Sequence, residues 1–593
     1  MPLFNSAPDD EILTDGSRPV NGVDNSQPPS AIPATSAENA ENRLAQLDGL
    51  NRPRPGIIRL KQPSPTGSLD SIHHLGTGVF LANNASNWYR YDNRGNVLAT
   101  LTGGPAYAPG SQVYSAVAQT ALYFSDGSDA LLHKYSVLST TGTTNATINI
   151  TAIPSTTGMW VGQAISGAGI PAGATIASIV SGTAITISVA ATASTTGVAL
   201  TVSGFGTVAL PSAYPRALYP IWAAYRLIYA YQNTLVISDA LDPETFHIAT
   251  GELTLDPITT DVITGQALWQ NQAIAVFRNG STWMVQTGPG LDVPDWSLDR
   301  VSATVGCRCH GTIVQCGADV LFLSETGRGV YALSQAPTSS QIGVWTPISS
   351  DHIQKYINRI NWAACDQARA TYWNDLYILS VPLDNSTFNN YCLIYSLSLG
   401  TWQGLWCFDI GSVDTAVRDF ARDRTDPNHT ALLVATRDGI ISRFTYPVDR
   451  QYYDQNIDGT QQPYNSLLRS RSFIFGINIS EQYMSGININ QIRPHSVRFQ
   501  FLESEDPVNV TVIADRTIEL LAQTLDTSGY LLSLTIPGFP FDLDVEGYKN
   551  AIIGLLGTGI CSELQFELEA TGNWTLYQIK ASAFETMPLL ATQ

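Results

Sequence analysis

Charge is what this sequence has least of. Asp, Glu, Lys and Arg make up 14% of its 593 residues, well under the roughly one quarter usual in soluble domains. Long solvent-facing helices draw on Glu and Lys, so a chain this poor in both is not built mainly from them. Cations are scarcer still: 31 Lys and Arg stand against 50 Asp and Glu, a formal net charge of −19. That balance argues against a grip on nucleic acid, which works by neutralising phosphates with basic side chains. It leaves room for DNA passing nearby, since an acidic wall repels it and reduces sticking. Seven cysteines without regular spacing argue against a disulfide framework and fit synthesis in a reducing cytosol. The opening MPLFNSAPDDEILTDG has neither the basic nor the apolar region of a secretory signal. No apolar run has the length of a membrane-spanning helix.

In place of charge the chain carries Ser, Thr, Asn and Gln, with 47 Gly and 32 Pro, the balance of many short strands joined by turns. Its length calls for several domains. Residues 1 to about 50 are polar and Pro-rich, and read as an extended N-terminal arm. Within it, Glu38–Leu47 could form a short helix with Leu44 and Leu47 on one face. At Asn51–Ile58 (NRPRPGII) the composition changes. From there a unit recurs: an apolar strand, a turn of Asp, Asn, Gly or Ser, then a strand with aromatics. It is read at 78–91, 121–135, 234–246, 273–285, 319–333, 375–395 and 431–444. Apart from one interruption the units start roughly 40 to 55 residues apart, the period of four-stranded propeller blades. Six or seven blades over about 56–450 are expected.

The interruption, residues 139–204, contains no charged residue. Its alternating apolar positions and turn-forming GAGIPAG stretch predict a small β-sandwich inserted between two blade strands. From about Ser466 the strands lengthen, and Val497, Phe499 and Phe501 share a face. The expected fold class is therefore mostly β. It comprises a β-propeller-like body over 51–138 and 205–465, the insert, and a C-terminal antiparallel β-sandwich over 466–593.

Chemistry is hard to find. Cys307, Cys309 and His310, with Cys316 nearby, form the best metal candidate, but a second ligand pair at zinc spacing is missing. Cys365, Cys392 and Cys407 are isolated, and structural thiols in strands are the better reading. His73-His74 precedes a predicted strand. Asp126, Asp129, Asp239, Asp242, Asp384 and Asp438 fall in turns, where side-chain-to-backbone hydrogen bonds account for them. A propeller glycosidase needs two facing carboxylates. The Asn279–Trp283 turn is only faintly similar to a sialidase Asp-box. Trp88, Tyr89, Trp222, Trp362, Trp373, Trp402 and Trp406 read as blade core rather than a sugar platform. No catalytic, cofactor-binding or metal residue is assigned, no cofactor is expected, and the chain reads as a non-enzyme.

Three stretches resemble the tail nozzle proteins of short-tailed bacteriophages, also called tail hub or stabilisation proteins. They are NRPRPGII at Asn51–Ile58, the blade series with its Ser-Asp-Gly and Arg-Asp-Gly turns, and CSELQFELEATGNWTLYQI at Cys561–Ile579. The insert, through Val161–Val180, resembles Ig-like modules of phage virion proteins. The resemblance implies a structural component of the virion, a homohexamer below the portal and the head-to-tail adaptor. Such a ring helps retain the genome and conducts it during ejection without specific DNA binding. Its implied partners are the adaptor and tail fibres or tailspikes, with a tail needle or plug as a further candidate. Two other readings stay open: a receptor-binding tail fibre or adhesin, motivated by the insert and the aromatics, and a propeller glycoside hydrolase, motivated by architecture alone.

Overall fold

A run such as Leu376–Val381 (LYILSV) is apolar at consecutive positions, so as a strand it must bury both faces. In the computed structural model it does. Leu376 and Ile378 face one neighbouring sheet, while Tyr377 and Leu379 face the other. The structure describes residues 12–46, 48–60, 69–76, 78–85, 87–256, 261–269, 273–287, 292–335, 342–344, 347–349, 352–408, 416–423, 431–445, 451–475, 491–502, 506–525, 549–555 and 561–586.

Seven four-stranded antiparallel units are present among these residues. Six lie over 71–101, 114–209, 218–254, 263–302, 314–344 and 369–406. The seventh joins three strands over 417–444 to Ile57–Arg59 from the N-terminal region. We number them blades 1 to 7 in that order. In six of the seven, the unit legible in the sequence is the hairpin of second and third strands, such as Val79–Asn84 with Asn87–Asp92 in blade 1. In blade 3, Thr234–Ile237 is the third strand, because the preceding Arg226–Tyr231 is the second.

Each pair of successive blades encloses an apolar cluster. Trp88, Leu122 and Phe124 lie between blades 1 and 2, and Ile228, Leu235, Ile274 and Val276 between blades 3 and 4. The series closes with Phe80, Tyr91, Leu433 and Ile441 between blades 7 and 1. The body is thus a closed β-propeller. Strands too short to shield a core singly are buried by a neighbour on each side.

The insert sits between the third and fourth strands of blade 2. Those strands, Leu131–Asn145 and Ser194–Ala209, run on beyond the blade as a paired ladder. A small sandwich is built on their far ends around Ile150, Ile165, Ile176, Ile185, Leu200 and Val202.

The N-terminal region departs from expectation. The helix expected over Glu38–Leu47 is absent: Ala37–Glu41 and Arg43–Ala45 are strands, parted by Asn42 at φ 53°; Leu47 lies outside the described residues. Nor is the described part of the arm free. Ala37–Glu41 pairs with Asn465–Ser470 and bridges to Leu405 of blade 6, so that blade runs on into a nine-stranded sheet. Ile12–Ser17 pairs with Leu576–Thr586 in a six-stranded sheet that also holds Arg43–Ala45, Asn51–Pro53, Gln491–Phe501 and Lys549–Gly554. Backbone pairing overrides the weak local helix preference of these polar residues. The two sheets enclose Val497, Phe499, Phe501, Val510, Phe566 and Trp574, so the C-terminal sandwich is completed by N-terminal strands.

The NRPRPGII stretch joins these parts. Arg52 pairs with Asp48, and Arg54 with Asp454. A Cβ on Gly56 would meet the Tyr453 carbonyl oxygen at 2.0 Å, so no side chain fits there. Ile57 begins the strand that completes blade 7.

Candidate functional site at the propeller axis

The first strand of each blade lies innermost, and successive first strands run side by side around the axis. A few polar residues in these short strands meet there. Arg369 opens the first strand of blade 6, and its Nε lies 3.6 Å from Asp419 Oδ1 in blade 7. Asp419 Oδ2 in turn accepts the Ile72 amide of blade 1 at 3.0 Å. His73 of blade 1 sits with Nε2 2.7 Å from Ser71 Oγ and Nδ1 2.9 Å from Ser115 Oγ of blade 2. Tyr114, from blade 2, meets Tyr219 of blade 3 and His310 edge-on, and Tyr219 lies tilted against His310, with ring centroids 4.6 to 5.0 Å apart. His310 Nδ1 accepts the Gln266 amide of blade 4 at 3.4 Å. Cys309 Sγ donates to the Ala368 carbonyl at 3.1 Å, joining the segment before blade 5 to blade 6. These contacts, made by side chains to one another or to backbone groups, involve the inner strands of blades 6, 7, 1, 2, 3 and 4 and the segment that leads into blade 5.

Burial sets the electrostatics here. It depresses the His73 and His310 imidazoles to about 3, with the Arg369 charge adding to the effect. It pushes Cys309 up to about 11 against the pull of Arg369, and raises Asp419, whose partner Arg369 opposes the shift. Both imidazoles are neutral near pH 7. Arg308 takes up the Asp366 carboxylate, with Nε 2.8 Å from Oδ1, and Arg369 faces Asp419. The arrangement can stitch the inner strands together.

The neutrality of His73 has a measurable consequence. A base whose folded pKa lies below its unfolded value of 6.5 binds more protons when unfolded. Stability is then full above pH 6.5 and falls as pH drops toward 3, by up to about 1.4 kcal/mol per pH unit for one such group. Asp419 acts oppositely, since the folded state protonates it more readily. We expect urea midpoints to decline from pH 7 to pH 4.5 in the native protein, and less steeply in His73→Asn. Equal slopes would refute the burial argument.

The residues picked from sequence are placed as follows. Cys307, Cys309, Cys316, Cys365 and Cys392 are buried free thiols, and Cys407 is half-buried. Cys307 and Cys309 are not on a strand; they precede a 3-10 turn at His310–Thr312. No group of three potential metal ligands occurs among the described residues. His74 Nε2 lies 3.3 Å from Asp423. Asp126 and Asp242 accept amides two residues on, Asp129 accepts the Leu131 amide, and Asp239 contacts His247. Asp384 pairs with Arg359 and Asp438 with Arg59. Trp283 of the Asn279–Trp283 turn bonds back to Ser281. Trp88, Tyr89, Trp373, Trp402 and Trp406 are buried, while Trp222 and Trp362 are half-buried. Sequence reasoning missed Arg369, Asp419, Tyr114 and Tyr219. Their signal was a charged or phenolic residue in a short strand upstream of a repeat unit.

These features define a closed seven-bladed β-propeller, its axis crossed by packed polar side chains and its body fused to a C-terminal β-sandwich. Among solved structures the chain is similar to the WD40 β-propeller domain of Doa1, at 6% identity and a TM-score of 0.32, over 65% of this chain and 96% of that one. It is also similar to the Pan2 WD40 domain of Neurospora crassa, at 9% identity and a TM-score of 0.32, over 64% of this chain and 89% of that one. No family model matches the sequence. No curated protein matches it either.

Proposed function

We propose that this chain is a structural subunit of a short bacteriophage tail, the nozzle or hub that forms a homohexameric ring below the portal and adaptor. In the virion it extends the DNA channel, helps retain the genome and conducts it at ejection. The observation that carries this reading is the placement of Asn51–Ile58, a stretch on which the family resemblance rests. It closes the propeller through Ile57–Arg59, with Arg54 paired to Asp454, and fastens it to the C-terminal sandwich through Asn51–Pro53, whose Asn51 pairs with Leu576. A wheel so tied is a wall element. Because its own axis is crossed by side chains, a DNA channel has to lie between copies, which a closed heterologous ring provides. The net charge of −19 suits a conduit, since each phosphate contact would retard a moving duplex. The uncharged insert stands off blade 2, where it could decorate the tail exterior or hold a fibre. No helix among the described residues is long and apolar enough to cross a membrane.

Electron microscopy of the purified protein and of tails containing it tests the proposal. We expect sixfold rings with a central hole wide enough for a duplex. A protein that stays monomeric and is absent from particles would sink it. Host-cell binding by the isolated protein, lost on deleting residues 139–204, would favour the receptor-binding reading instead.

A further inference from the structure

Cations in this chain are few, 31 Lys and Arg in 593 residues. Within the C-terminal sandwich Arg469 faces Glu567 and Arg516 faces Glu563. Arg498 and Lys580 differ from these two arginines in having each other as nearest charged neighbours across the ladder. They are direct cross-strand partners on adjacent strands of the six-stranded sheet, and among the described residues neither meets a carboxylate at ion-pair distance. Like charges directly opposite one another destabilise a sheet. Val497, Phe499, Ile579 and Ala581 point into the core, so period two sends Arg498 and Lys580 to the opposite, outer face.

Two residues further along the same face, the cross-strand partners are Ser496 and Ser582. Their hydroxyls lie 2.9 Å apart, and His495 Nδ1 is 3.1 and 3.0 Å from them. Thr14 on the neighbouring strand is the partner of Ser582. Two cations and two hydroxyls thus stand at the corners of a patch about 5 Å by 7 Å. The patch lines a concavity of about 520 Å³, with Gly16 opposite Lys580 contributing no side chain to fill it. Asp15 also lines it, its carboxylate held by Arg471 and by the Gly16 amide.

We propose that this concavity is a binding site for a phosphate group. Two adjacent full charges match a dianion better than a single carboxylate, and the two hydroxyls, which bond to each other, to His495 Nδ1 and to the Ser496 carbonyl, would turn a donor toward a bound oxygen. Ligand binding would also relieve the Arg498–Lys580 repulsion.

Calorimetry or phosphorus NMR on the full chain with inorganic phosphate, at neutral pH and low salt, tests this. Saturable binding is expected. Arg498→Gln and Lys580→Gln should each weaken it roughly tenfold, the size of one charge-assisted contact, and the double variant should abolish it. Lys355→Gln, which removes a surface partner of Glu38, should leave binding unchanged. Lys580 is exposed, so its variant should fold normally, as circular dichroism will show. A nucleoside monophosphate binding tighter than phosphate would assign the site to a phosphomonoester, and an oligodeoxynucleotide whose affinity falls in the double variant would assign it to a phosphodiester. No saturable phosphate binding, binding indifferent to the double variant, or an acidic peptide competing as well as phosphate would overturn the proposal.

Discussion

A chain beginning at residue 60 should fail to fold cooperatively. Blade 7 would lose its fourth strand, Ile57–Arg59, and with it the pairing to Ile441–Phe444. The C-terminal sandwich would lose Ile12–Ser17, Ala37–Glu41, Arg43–Ala45 and Asn51–Pro53 from its two sheets. The edges so exposed would carry unpaired backbone groups inside the fold. Val23, Ile32, Leu44, Leu50 and Ile57 are all buried, and burial stabilises by about 1.5–3 kcal/mol for each such side chain. Their sum is of the same order as the whole net stability of a typical domain, about 5–15 kcal/mol. The expected result is an aggregating or molten chain, without a sharp urea transition and rapidly digested by protease. Supplying a peptide of residues 12–59 should restore a transition in part. A truncated protein melting within a few degrees of the full chain would show that the N-terminal strands are ornament rather than framework.

That region was also the least legible part of the sequence. Ala37–Glu41 (AENAE) buries only Ala37 and Ala40 fully, so no apolar periodicity marks it as a strand. Its place comes from backbone pairing with residues more than four hundred positions away. Asn42 reads as a polar linker residue, yet its Oδ1 accepts both the Cys407 amide and Arg54 Nε. By contrast the second strands of the blades were plain, because Leu376–Val381, Ile274–Arg278 and Leu432–Thr436 are apolar at almost every position and bury both faces. The insert declared itself by its lack of charge and by Ile150, Ile185 and Ile187 alternating with exposed or half-buried residues. The axial cluster lay between these extremes. His73 and the Cys307–His310 stretch drew notice as chemistry, whereas their partners Arg369 and Asp419 are single residues in different blades, brought together only when the ring closes. Cys307 and Cys309 looked like strand thiols because Cys-x-Cys fits period two; the turn at His310–Thr312 keeps them out of a ladder.

Arg54→Met should cost about 3–5 kcal/mol, the range for removing one member of a buried ion pair. Arg54 and Asp454 are both almost fully inaccessible and meet through two parallel contacts, Nη1 to Oδ1 at 2.9 Å and Nη2 to Oδ2 at 2.6 Å. Burial by itself would lower the guanidinium's proton affinity; the Asp454 charge outweighs that and raises it. The remaining donors are used as well, on Asn42 Oδ1, the Pro55 carbonyl and the Cys407 carbonyl. Arg54 Cζ lies 3.8 Å from the Tyr464 ring centroid. Methionine fills much of the volume and satisfies none of this. It leaves Asp454 charged, buried and bonded only to groups such as the Ile57 amide, which is the amide that starts the closing strand. Lysine should fare little better, since a point charge cannot reproduce the planar fork. Adding Asp454→Asn to Arg54→Met should recover part of the loss, because the neutral amide removes the stranded charge, so the two substitutions will be strongly non-additive. Urea midpoints of the two single variants and the double variant give the coupling directly. Simple additivity would mean that Arg54 acts through packing against Tyr464 and Phe408, with the ion pair contributing nothing of its own to closure of the wheel.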